Sequence, residues 1–146
     1  RSFHHLLEVV KILSRYRPGS PVIVDTNGIF LGYQPQLLDH FLSLNVKIRV
    51  GLKGIDPESF ETISGAGKEF YHYPLKTLRE LKRRNIGSWP ALIGDFFSSK
   101  SQKNFEGYLA AEVTSAPLEI ESLKQLPMVT RNIAHRRKSN PDMFPE

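Results

Sequence analysis

The stretch Val22-Ile23-Val24-Asp25-Thr26-Asn27-Gly28 decides the reading of this chain, together with its echo Val46-Lys47-Ile48-Arg49-Val50-Gly51-Leu52-Lys53-Gly54. Each is a short β-branched run that ends in polar residues and glycine, and each is followed by a helix-like segment. Strand then helix, repeated, is the pattern of a parallel sheet, in which ligands bind at the carboxyl ends of the strands. Those ends here carry Asp25, Thr26, Asn27 and Lys53. The second run also alternates: Ile48, Val50 and Leu52 fall on one side, Arg49, Gly51 and Lys53 on the other. A parallel strand covered on both faces is apolar on both. The polar side therefore predicts a face that lines a cavity, with Arg49 and Lys53 pointing into it.

Outward from these strands, Phe3, Leu6, Leu7, Val10 and Leu13 predict an inward-facing helix over residues 3–16, which Arg17-Pro18-Gly19-Ser20-Pro21 ends. A second helix is expected after Pro35, burying Leu37, Leu38, Phe41 and Leu42. Asp56-Pro57-Glu58 is a helix start, with an acid to cap and proline at the first position. That helix turns Phe60 and Ile63 inward and stops at Ser64-Gly65-Ala66-Gly67, which lacks the lysine and spacing of a phosphate loop. A longer helix over 69–84 should bury Phe70, Leu75, Leu78 and Leu81, and Asn85 and Gly87 end it. Trp89-Pro90-Ala91-Leu92-Ile93 forms a third strand, with Asp95 at its carboxyl end as a further candidate contact. Strands are thus expected at 21–26, 46–52 and 87–94 of an α/β fold. Beyond them, 98–104 reads as a polar loop, 105–113 as a short helix, 122–137 as a last helix broken near Pro127, and 140–146 as a frayed end.

A length of 146 residues suits one domain with its own core. No apolar run approaches the roughly 20 residues that span a bilayer, and no secretory pattern opens the chain, so no membrane partner and a cytoplasmic location are the expectation. The chain has no cysteine, which excludes disulfides and any thiolate-held metal within it. His4, His5 and His72 lack a second ligand at helical spacing, so no metal site is assigned. The net charge of +5 gathers at Lys76, Arg79, Lys82, Arg83 and Arg84, and again from Arg131 to Lys138. A solvated helix face with a basic tail accounts for it, with RNA binding as the alternative.

The segment Val24-Asp25-Thr26-Asn27-Gly28 resembles the "TNG" strand of radical S-adenosylmethionine enzymes, of the pyruvate formate-lyase activating enzyme type. Arg49-Val50-Gly51-Leu52-Lys53-Gly54 is similar to that group's next strand end, Phe60-Glu61-Thr62-Ile63-Ser64-Gly65 to the helix end after it, and Trp89 to Ile93 to a further barrel strand. The resemblance covers residues 1–97 and implies part of a (β/α)6 partial TIM-type barrel of parallel strands, followed by loop, helices and basic tail over 98–146. It implies two cofactors for the parent enzyme: S-adenosylmethionine, and a 4Fe–4S cluster that cleaves it to a 5′-deoxyadenosyl radical. The family's Cys-x3-Cys-x2-Cys loop and Gly-Gly-Glu segment are absent. The chain therefore reads as a later portion of such an enzyme, a truncated fragment in preference to a naturally degenerate protein, with the missing N-terminal portion as its partner, an unknown substrate for which a protein or peptide is one option, and no cofactor of its own. Asp25 and Thr26 match positions that help bind a monovalent cation near the cofactor's carboxylate, and Lys53 matches a nearby lysine. The aspartate expected two residues before Lys53 is Gly51 here, and Arg49 faces the same way.

The cofactor-binding set on this reading is Asp25, Thr26, Asn27, Arg49, Lys53 and Asp95, and no catalytic residue is assigned. Each has a plainer alternative. Asp25 can accept from the Asn27 and Gly28 amides of a turn, Lys53 can pair with Asp25, and Asp95 can be a solvated acid opening a loop. Two other functions stay open: a non-catalytic RNA- or protein-binding module using the basic helix and tail, and a hydrolase or transferase using Asp25 and Lys53 on a flavodoxin-like sheet.

Overall fold

The computed structural model describes residues 2–123; the expected last helix, from residue 124 onward, and the basic tail lie outside them. Among the described residues four strands, β1 (Val22–Thr26), β2 (Val46–Leu52), β3 (Ser88–Ile93) and β4 (Glu119–Glu121), form one sheet in the order β1-β2-β3-β4. Every pairing is parallel. The first three match the sequence expectation almost to the residue. The register sets Asp25 beside Arg49 and Arg49 beside Trp89, with Gly51 beside Ala91 and Ala91 beside Glu119. These residues share one face of the sheet. Val24, Ile48, Val50 and Leu92 share the other, and all four are buried in a single core with Val10, Leu38, Phe41, Leu78, Phe105 and Leu109. The helices that carry those core residues thus cover one face, and the second face is left to Ile23, Lys47 and the polar set.

Helix α1 (Ser2–Tyr16) buries Leu7 and Val10, but Leu6 and Leu13 are 37% and 45% exposed rather than inward. The apolar positions wrap around too wide an arc for one contact, and only part of it meets the core. A five-residue helix, α2 (Ile29–Tyr33), follows β1 directly and was not anticipated. The expected helix after Pro35 is a 3₁₀ segment, Pro35–Phe41, that buries Leu38 and Phe41 and leaves Leu42 exposed. Its tighter three-residue period puts fewer side chains on one face than an α-helix would.

Helix α3 (Pro57–Ser64) starts as its sequence requires. Asp56 Oδ1 accepts the Ser59 N–H at 2.7 Å, and the Ser59 hydroxyl accepts the Asp56 N–H in return. A separate 3₁₀ turn, Lys68–Phe70, precedes α4 (His72–Arg83), so Phe70 lies against Tyr73 at the surface, 39% exposed, instead of on the buried face. Helix α5 (Ser99–Glu112) begins inside the expected polar loop. Ser98 Oγ caps it by accepting the Ser101 N–H at 3.1 Å, and Gln102 Nε2 ties it to the end of β3 through the carbonyls of Gly94 and Phe97, both at 2.9 Å. The polar run is a solvated helix turn. Phe105, Leu109 and Val113 then join the core, and β4 extends the sheet. Among the described residues no helix is long and apolar enough to cross a membrane.

Candidate functional site

A cleft of about 370 Å³ opens on the polar face at the carboxyl ends of β1, β2 and β3. Its floor exists because two paired positions are small: Gly51 and Ala91 stand side by side, and a Cβ built on Gly51 would meet only the Thr26 carbonyl, at 3.7 Å. Asp25, Thr26, Asn27, Arg49 and Lys53 all line it, so five of the six candidate residues converge as strand alternation implied. Asp95 does not line it. It sits in a 3₁₀ turn after β3 and accepts from the Ser122 hydroxyl at 3.0 Å and the Leu123 amide, fastening the chain beyond β4.

At the tip of β1 the side chains divide the turn between them. Thr26 Oγ1 accepts the Gly28 N–H and Asn27 Oδ1 the Ile29 N–H, each at 3.1 Å, while Gly28 takes a left-handed φ of 73°. The turn is pinned from the helix layer by Thr77 of α4. Its fully buried hydroxyl donates to the Gly28 carbonyl at 2.6 Å. Asp25 is thereby released from turn duty, and its partner is Arg49, not Lys53: Arg49 Nη1 donates to Asp25 Oδ2 at 2.8 Å.

Arg49 is the centre of the site's electrostatics. Its side chain is 13% exposed and meets three carboxylates: Asp25 on β1, Glu119 through Nε at 3.1 Å, and Glu121 through Nη2. Trp89 Nε1 also donates to Glu119. Hydrogen bonds that it donates, to Glu121 first and also to Glu119, raise the guanidinium above its ordinary value despite its burial. Its charge is thus more than matched by three carboxylates, and Lys53, half-buried, is the cation of the cleft without a hydrogen-bond or ion-pair partner among the described residues. Glu119, Glu121 and Trp89 were absent from the sequence expectation. The signal was present in Glu119-Ile120-Glu121, where acids two apart mark a strand with one polar face.

Hydrogen bonds from Arg49 first, then from Trp89, hold the Glu119 carboxyl below its ordinary value of 4.5. A carboxylate lowered in this way contributes stability in full above its unfolded value, and loses it as the pH falls through the folded one. The β4 contact should therefore be unchanged around neutrality and loosen below pH 4.5. Trp89 is the sole tryptophan, so its emission isolates this contact. Arg49→Met should move the acid transition of that emission upward. An emission that titrates identically in both proteins would contradict the assignment.

No family model, no curated protein and no solved structure matches this chain.

Proposed function

We propose that this chain is a later portion of a radical S-adenosylmethionine enzyme, with its sheet one part of a (β/α)6 barrel and the strand-end cleft one wall of the cofactor pocket. The observation that carries this reading is the convergence of the Asp25-Thr26-Asn27 end of β1 and the Lys53 end of β2 on one cleft, on the face free of described helices. The donor set suits the amino-acid end of S-adenosylmethionine: Lys53 for a carboxylate, Asp25 and Glu121 for an ammonium. The residues do not suit the iron–sulfur cluster, because the chain has no cysteine to ligate it. When bound in the complete enzyme the cofactor supplies the hydrogen-abstracting group. The residues of this chain bind it, orient it and keep water from it.

The RNA-binding alternative draws less support. In the basic stretch of α4 and the residue after it, Arg83 and Arg84 bond Glu80, Arg84 also bonds Asp39, and Arg79 donates to the Glu112 carbonyl.

Titration of the complete enzyme with S-adenosylmethionine, with the amides of this portion followed by NMR, tests the reading. Shifts are expected at Thr26, Asn27, Gly51 and Lys53. Lys53→Ala should weaken binding by about tenfold, the size of one charge-assisted hydrogen bond, and should destabilise the fold less than Val50→Ala, which voids a fully buried site. Gly51→Val should fill the floor and abolish binding. Shifts confined to other surfaces, or a complete enzyme carrying Gly51→Val that binds normally, would overturn it.

A further inference from the structure

A second concavity, of about 410 Å³, lies at the same end of the sheet but in the helix layer, between the start of α3 and the flank of α5. It shares no lining residue with the strand-end cleft. Its walls are aromatic. Tyr108 is 40% exposed and stacks on the buried Phe105 with ring centroids 6.1 Å apart and planes 22° from parallel. Tyr71 forms another wall, held rigid by Phe60 behind it and by its hydroxyl, which donates to the Ile55 carbonyl at 2.7 Å. Burial, with smaller contributions from Tyr108 and Asp56, raises the Tyr71 phenol, so this wall stays neutral at physiological pH.

Three polar groups among these walls have no partner among the described residues: the Asn104 amide, the Tyr108 hydroxyl and the Asp56 carboxylate oxygen not used in capping. We propose that this groove is a binding site for an uncharged nucleoside, its base stacked on Tyr108 and its edge paired with Asn104. A carboxamide offers a donor and an acceptor side by side, which is what a base edge presents. The free oxygen of Asp56 accepts from a sugar hydroxyl or an exocyclic amine. Among the described residues that line the groove Asp56 is the only one charged at neutral pH, so a phosphate is repelled and the nucleoside is preferred to the nucleotide. The volume lies within the range of small-ligand pockets.

NMR titration of the chain with adenosine and cytidine, and with adenosine monophosphate as the charged counterpart, tests this. The Asn104 side-chain amide and the Ser101 and Phe105 backbone amides should shift. Tyr108→Ala should weaken binding about tenfold or more, as loss of a stacking ring does, and Tyr108→Phe should retain it. Lys53→Ala should leave it unchanged, which separates this site from the strand-end cleft. Should Tyr108→Ala fail to fold, Asn104→Leu, at an exposed position, should weaken binding in its place. The proposal is overturned if neither nucleoside shifts the groove at about millimolar concentration, if folded Tyr108→Ala binds as well as the parent, or if the monophosphate binds more tightly than adenosine.

Discussion

Gly32→Val should destabilise the chain by about 3 kcal/mol or more, at the top of the usual overpacking range. Gly32 is where α2 crosses α4: a Cβ built there would stand 2.2 Å from the Tyr73 carbonyl oxygen and 2.9 Å from the Tyr73 Cα. Both are backbone atoms, so no rotamer change relieves the clash and the two helices must part. Parting them also pulls Thr77 from the Gly28 carbonyl, and with it the support of the turn that presents Thr26 and Asn27 to the cleft. Because the first carbon makes the clash, Gly32→Ala should already cause most of the loss. Gly107→Ala in α5 is the contrasting change. Its Cβ would meet nothing within 4 Å, and the helix gains roughly 0.5–1 kcal/mol from the lost glycine. Urea unfolding of the three variants checks this, and a Gly32→Ala chain as stable as the parent would show the crossing to be looser than described.

Phe60→Ala should cost about 3–5 kcal/mol, the usual range for removing a buried aromatic. Phe60 is 1% exposed, and its ring packs against Tyr71 at a centroid distance of 6.0 Å. Gly54, directly after Lys53, lies against it so closely that a Cβ there would fall 2.3 Å from the Phe60 nitrogen. The Phe60 ring therefore backs the aromatic groove through Tyr71, while its backbone holds Gly54 beside the strand-end cleft. With an overall stability of about 5–15 kcal/mol for a typical domain, such a loss leaves a marginal fold. Phe30→Ala, at a position 50% exposed, should stay within about 0.5 kcal/mol of the parent. Thermal or urea denaturation of the pair decides the matter: equal losses at both positions would mean that Phe60 is not core.

How much of this was legible beforehand follows from the range of each interaction. The first three strands could be read because β-branching and period-two alternation are local properties. For the same reason Ile48, Val50 and Leu52 were expected inward, and Asp25, Arg49 and Lys53 together on the opposite face. The start of α3 was legible because Asp56, Pro57 and Ser59 form its cap within four residues. Ser98 caps α5 just as locally, yet the polar residues after it hid the helix, since the contacts that hold them reach back to Gly94 and Phe97.

The amino-acid sequence by itself thus determined the parallel strands, their polar face and the position of the cleft, all of which depend on residues a few places apart. Tertiary structure alone decided who answers whom across the cleft. Arg49 finds Glu119 seventy positions away, so a cation that alternation places in the cleft is already paired, and Lys53 is the one without a partner there among the described residues. It also decided which side of α1 is covered and that Tyr71, just ahead of α4, meets Phe105 and Tyr108 of α5 around one groove. Charge pairing and ring packing act through space and are set by the fold's register, which no local pattern encodes.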